Sequence, residues 1–329
     1  MLRRAPVAIA VAASLGIAAV AAAAAAAPPS SLVSSATASQ PAKRLMPPGP
    51  HIDGCPIFPG SHAWNQPIAA LPLNPLSDQI INKIQTMGGG TKVHPDVGST
   101  FGIPFVVVPG DQPLVPIVYD AYGDESDPGP FPIPLDAPIE GGGGGGDSHV
   151  LVLQQQTCQL FELFVGRQIG AGWTAASGAK FDLFTGAPRP IGWTSADAAG
   201  LPILPGLVRY DEVAAGLIDH AIRVTFSHTQ KGFIFPASHF ASSDTDPTLP
   251  AMGMRFRLSA SFDINSFTGQ AKVIATAMQQ YGLIVADNGS NWFFQGAPDP
   301  RWNDDELNQL KNIPGTAFEV VDTGPVVTG

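Results

Sequence analysis

The apolar positions of this chain come in short runs set off by Pro and Gly. PFVVV, LVPIVYDAY, HVLVL, QLFELFV, AKFDLFT, HAIRVTFS, GFIFP, RFRLSASFDI, GLIVA, NWFFQG and AFEVV each read as a strand. Closely spaced runs of this length, broken by turn residues, are the pattern of an all-β sandwich or barrel. Three stretches follow the helical period instead. SDQIINKIQTM, from Ser77 to Met87, puts Ile80, Ile81 and Ile84 on one face, with Ser77 as its cap and Gly88-Gly89-Gly90 as its stop. TGQAKVIATAMQQYG aligns Val273, Ile274, Ala277, Met278 and Tyr281, and NDDELNQLK opens on an Asn303 cap with Glu306 three residues on. The expectation is an all-β fold, β-sandwich or jelly-roll-like, with a few peripheral helices, filling residues 51–329 as a single domain.

HVLVL and CQLFELF form the clearest hairpin. A symmetric loop sets Leu153 opposite Cys158, Leu151 opposite Leu160 and His149 opposite Glu162. The period of two then gathers all six on one mostly buried face. Burial raises a carboxyl pKa, and a neighbouring imidazole can share its proton, so His149 with Glu162 is the leading catalytic pair. The competing account is a buried polar pair that satisfies itself and fixes strand register. The six glycines ahead of it, Gly141–Gly146, read as a flexible lead-in.

Other candidates are weaker. Asp197, in a loop, is a second carboxylate for glycoside chemistry, which needs two. Asp211 reads as a helix cap. His220 and His239, if they converge with His149, make a metal site or the base of an elimination. Asp120, Asp124, Glu125 and Asp127 share a turn-rich loop whose hard oxygens suit calcium, although the spacing is not that of the twelve-residue calcium loop. Arg255 and Arg257 alternate outward on one strand and could hold a uronate or sulfate. Trp173, Trp193 and Trp292 are candidate sugar platforms. The run Asp287-Asn288-Gly289 reads as a tight turn between strands.

Composition sets the compartment. A basic start, Met1-Leu2-Arg3-Arg4, leads into an unbroken small and apolar run ending at Ala27, the layout of a signal peptide over residues 1–27. A retained anchor is the alternative, the run being long enough to span. Residues 28–50 are a Ser/Ala/Pro tether too poor in large apolar groups to order themselves. In an exported chain the two cysteines, Cys55 and Cys158, are expected to pair. Net charge is −10, and loss of Arg3 and Arg4 takes it to −12, which disfavours nucleic acid and anionic lipid as partners. The chain contains no GxSxG, Walker loop, dinucleotide fingerprint or HExxH, which disfavours those enzyme classes.

GDSHVLVL, GWTSADAAGLPILPGLVRYDEV, MRFRLSASFDI and ADNGSNWFFQGAPDPRW resemble segments of a family of exported, mostly uncharacterised proteins of GC-rich bacteria. The resemblance spans most of residues 51–323 and implies export and one intact domain, with no activity to carry over. The combined expectation is a secreted or periplasmic protein that acts on or binds polysaccharide, by acid/base hydrolysis or elimination if catalytic and without organic cofactor. A non-catalytic cell-surface or matrix protein is the alternative.

Overall fold

The computed structural model describes residues 49–328; the expected signal peptide and most of the expected tether lie outside them. In chain order the strands are β1 His51–Ile52, β2 Cys55–Pro56, β3 His94–Asp96, β4 Phe105–Val108, β5 Ile117–Tyr119, β6 Val150–Gln154, β7 Gln159–Phe164, β8 Arg167–Ile169, β9 Gly172–Ala175, β10 Ser177–Asp182, β11 Ile222–Phe226, β12 Arg255–Leu258, β13 Leu283–Asn288, β14 Phe293–Gln295 and β15 Phe318–Val321. The α-helices are α1 Ser77–Thr86, α2 Tyr210–Ala214, α3 Gly269–Gln280 and α4 Asp304–Asn308. This is an all-β fold with peripheral helices. Among the described residues no helix is long and apolar enough to cross a membrane.

A six-stranded mixed sheet runs β15-β12-β13-β11-β14-β3, and a four-stranded sheet runs β10-β7-β6-β4. Leu151, Leu153, Leu160 and Phe181 of the second share one core with Ile222, Val224, Phe256 and Phe294 of the first. The period of two sends Val150, Val152, Phe161 and Leu163 to the opposite face, where they pack with Phe131, Ile133 and Trp173 beside the small β5-β9-β8 sheet. β6 and β7 are therefore buried on both faces and read as near-continuous apolar runs.

The β6–β7 hairpin forms, but its register differs from the expected one by two residues. Gln154 closes on Gln159, so Leu153 faces Leu160 and Leu151 faces Glu162. The four-residue loop, 155–158, is centred one residue later than expected, and Gln156 and Cys158 in it both turn at positive φ. A shift of two keeps every side chain on its expected face, and it leaves His149 without Glu162 as a cross-strand partner. Cys158 bonds Cys55, tying the β1–β2 hairpin to this loop.

Helix α1 buries Ile80, Ile81 and Ile84 as the pattern requires, yet Ser77 does not cap it. Its hydroxyl accepts the Val320 N–H instead, while Asn74 receives Leu76 N–H. Asn303 does cap α4. At α2 the expected Asp211 cap is replaced by Glu212, which reaches back to Arg209 N–H at 2.8 Å. GFIFP forms no strand; Phe233 makes only isolated bridges to Met252 and Val327.

Candidate functional site

Glu140 and His149 stand at the two ends of the glycine run and hold each other by three contacts. Glu140 N–H donates to His149 O at 3.0 Å, His149 N–H donates to Glu140 Oε2 at 3.3 Å, and the imidazole Nδ1 lies 2.6 Å from the same oxygen. Closing a loop this tightly needs left-handed backbone, and Gly142 (φ 67) and Gly145 (φ 118) supply it where a side chain would be strained. The glycines are therefore the device that folds Glu140 back onto His149, a correction to their reading as a flexible lead-in. His149 is buried, and its Nε2 lies 3.1 Å from Ala196 O. A carbonyl only accepts, so Nε2 carries hydrogen and one proton is left to share between Nδ1 and Glu140.

Facing this pair is the edge of the six-stranded sheet. Arg223 and Thr225 stand on β11, Asp287 on β13, Phe293 and Gln295 on β14, and Asp96 on β3. The register of β11 on β13 slips after Val224, where Arg223 pairs with Ile284 but Thr225 pairs with Asp287. In an unbroken ladder Ala286 would sit beside Thr225 and Asp287 on the opposite face; the bulge turns Asp287 onto the face of Arg223. Together these residues, with Glu140, Asp147 and His149, line a cavity of about 120 Å³. That is well above the ~10–15 Å³ one water needs.

The titratable groups of the cleft are driven apart. Burial would raise Glu140, but the hydrogen bond and charge of His149 outweigh it and hold the carboxyl below its ordinary value. Burial would lower His149, and Glu140 outweighs that in turn, so the imidazole is raised and the pair rests as carboxylate and imidazolium. Asp287 goes the other way. Burial, reinforced by the Asp197 charge, pushes its carboxyl up to about 7 against the pull of Arg223. Burial and then the Glu140 charge also raise Asp96. One carboxyl held below its ordinary value and another raised to about 7 in the same cavity are the arrangement acid–base catalysis requires.

The expected site residues scatter. Glu162 is sealed, accepting Ile203 N–H at 2.9 Å and Leu204 N–H at 3.0 Å; burial still pushes it up to about 7. Asp197 is equally sealed and engages the Arg223 guanidinium through both oxygens, with Nε–Oδ2 at 3.0 Å. The three histidines do not converge, because each meets a different glutamate: His149 meets Glu140, His220 meets Glu212 at 3.1 Å, and His239 lies 3.9 Å from Glu125. The calcium candidates are spent on protein groups. Asp127 takes Lys180 N–H and Arg189, Glu125 takes Thr194 N–H, and Asp120 lies 3.8 Å from Arg167. Asp124 is the middle residue of a short 3-10 turn, Gly123–Glu125, and among the described residues no group of three or more His, Cys, Asp or Glu could hold a metal ion.

Nor do the expected sugar contacts form an open face. Trp173 and Trp292 are core residues, and Trp193 is half-buried with Arg189 over its ring. Arg255 is buried and donates to Ala63 O and Tyr281 O; Arg257 is held by Glu319 and the carbonyls of Ile68, Ala69 and Leu71. The alternation is real, but loops from elsewhere in the chain cover the face it points to. A larger cavity of about 580 Å³ lies beside α2. Its deepest carboxylate, Glu212, is consumed by Arg209 and His220, and Arg301 occupies Asp211 and Asp299.

Glu140, Asp287, Arg223, Asp96 and Asp147 escaped the sequence. A signal existed for some of them: an acid at each end of a six-glycine run, next to a histidine, marks a loop that returns on itself. Asp287 carried none, since the bulge that aims it is not written in the local pattern. No protein family, curated protein or solved structure matches the chain, so the chemistry of the cleft is read from its own geometry.

Proposed function

We propose that this protein is an exported acid–base enzyme that hydrolyses glycosidic bonds of a polysaccharide in the cleft of Asp287, Glu140 and His149. One observation carries the proposal: a carboxyl and a carboxylate–imidazole pair, in opposite electrostatic environments, line the same solvent-reaching cavity. Asp287, protonated through weakly acidic pH, gives its proton to the leaving glycosidic oxygen as the C–O bond breaks. Glu140 takes a proton from the attacking water through Oε1, while Oε2 stays on His149. The products are a hemiacetal and an alcohol, and exchange with solvent restores both groups. The acceptor-rich lining suits a substrate dense in hydroxyl donors. Hydrolysis is favoured over elimination from a uronate, because that reaction needs a cation on the uronate carboxylate and Arg255 and Arg257 are both committed elsewhere.

Export is supported by the basic–apolar–small start of the sequence and by the Cys55–Cys158 disulfide, a bond that persists in oxidising compartments. The test is incubation with a panel of polysaccharides while reducing ends are followed. Release that falls at least ~100-fold in both Asp287→Asn and Glu140→Gln, with folding intact, is the expected result. Unchanged release in either variant overturns the assignment, and silence across the panel leaves the non-catalytic surface protein.

A further inference from the structure

We infer that the cleft selects a glycan segment bearing an ammonium group, an amino sugar in its free-amine form, and turns away uronates, sulfates and phosphates. The inference rests on the hydrolase reading above and adds the substrate class. It follows from which lining groups are already engaged.

The cations facing the cavity are Arg223 from β11 and His149 from the end of the glycine loop. Arg223 is paired with the Asp197 carboxylate through Nε and Nη2, and its Nη1 binds Gln295. His149 has both ring nitrogens engaged, on Glu140 and Ala196 O. Among the described residues no Lys and no other Arg lines the cavity. The carboxylates are less committed. Asp287 has Asn288 N–H on Oδ1 at 2.7 Å and no hydrogen bond on Oδ2 within the described protein. Glu140 keeps Oε1 free, and Asp147 stands exposed at the rim. From β3, Asp96 adds a fourth carboxyl, met by Gln295. Of the uncharged lining groups, Thr225 spends its hydroxyl on Ser290 O at 2.8 Å, and Asn288 spends its amide on Thr229 at 3.1 Å.

The cavity thus offers acceptors and negative charge while its positive charges are neutralised within the protein. An anion entering it meets only cations already paired with carboxylates, whereas an ammonium group finds unpartnered carboxylate oxygens on Glu140 and Asp147 in a partly enclosed cleft, where charge–charge attraction exceeds its value in water. Among the described residues no group of three or more His, Cys, Asp or Glu could hold a metal ion, and an organic cation matches the spread acceptors. The net charge of −10 assists, drawing cationic chains toward the surface.

The experiment titrates the folded protein by calorimetry, at low salt and a pH where the amine is protonated, with a glucosamine tetramer, its fully N-acetylated counterpart and a galacturonic acid tetramer. Reducing ends are followed in parallel. The expected result is at least ~10-fold tighter binding of the free-amine oligomer, a preference that shrinks with added salt. The preference should fall several-fold in Asp147→Asn, a rim change that leaves the acid and the base in place. Equal affinities, a preference for the uronate or no binding of any oligomer overturns the selectivity. Amine-selective binding with no bond cleavage keeps the selectivity and overturns the hydrolase reading. Cleavage of the N-acetylated tetramer without amine preference does the reverse.

Discussion

Asp287 links catalysis to stability at the scale of a single residue. Its carboxyl is raised from 3.8 to about 7 by burial, so the folded state holds its proton more tightly than the unfolded chain does. The stabilisation from this group is complete below pH ~4 and is lost as pH rises toward ~7. Asp287→Asn should therefore match the parent near pH 4 and exceed it by about 1–3 kcal/mol above pH 7, after allowance for partial solvent screening. Urea midpoints across pH 4–8 check this, and a variant no more stable than the parent at pH 8 would refute it. Arg223 presents the opposite case. It neutralises Asp197, which has no exposure, so Arg223→Leu should cost about 3–5 kcal/mol by stranding a buried charge. Adding Asp197→Leu should recover most of that loss in a double-mutant cycle, because the pair is removed together.

At the scale of elements, the glycine loop and the bulge in β13 do the positioning. Gly142 has φ 67, and a Cβ added there meets nothing within 4 Å. Gly142→Ala should thus cost about 1 kcal/mol of backbone strain without any clash. If the loop holds Glu140 on His149, the same change should also depress activity and shift its acidic limb to higher pH, as a pH–rate profile would record; an unaltered profile would make the loop a mere connector. The helices and the faces of β6 and β7 were legible beforehand, because periodicity alone specifies which side of an element is buried. Register was not, since Gln156 and Cys158 adopt backbone angles that composition does not demand. The β13 bulge was invisible for a related reason: Asp-Asn-Gly is a turn signal, yet Asp287 and Asn288 are paired strand residues.

Across the whole molecule, one covalent link joins the β1–β2 hairpin to the β6–β7 loop, 103 residues away. Removing both thiols, Cys55→Ser with Cys158→Ser, should lower stability by about 2–5 kcal/mol through the restored freedom of the unfolded chain. Denaturant titration with and without reductant measures it, and a loss below ~1 kcal/mol would mean that packing alone holds the hairpin. The candidate cleft belongs to this scale as well. It takes its acid from one sheet and its base from the loop that enters the other, so no single segment contains it.

By itself the sequence determined the all-β class, three helices, the buried faces of two of them, one buried face of the β6–β7 hairpin and the pairing of Cys55 with Cys158. These depend on local period and on residue type. Only the tertiary structure decided which polar groups are consumed and which remain open. Glu162, Asp197, Arg255 and Arg257 looked available because nothing nearby in the chain satisfies them; their partners come from 26 to 192 positions away. Glu140 and Asp287 looked ordinary because their environment is likewise assembled from afar. Burial and hydrogen bonding set the reactivity of a carboxyl, and both are properties of the folded chain.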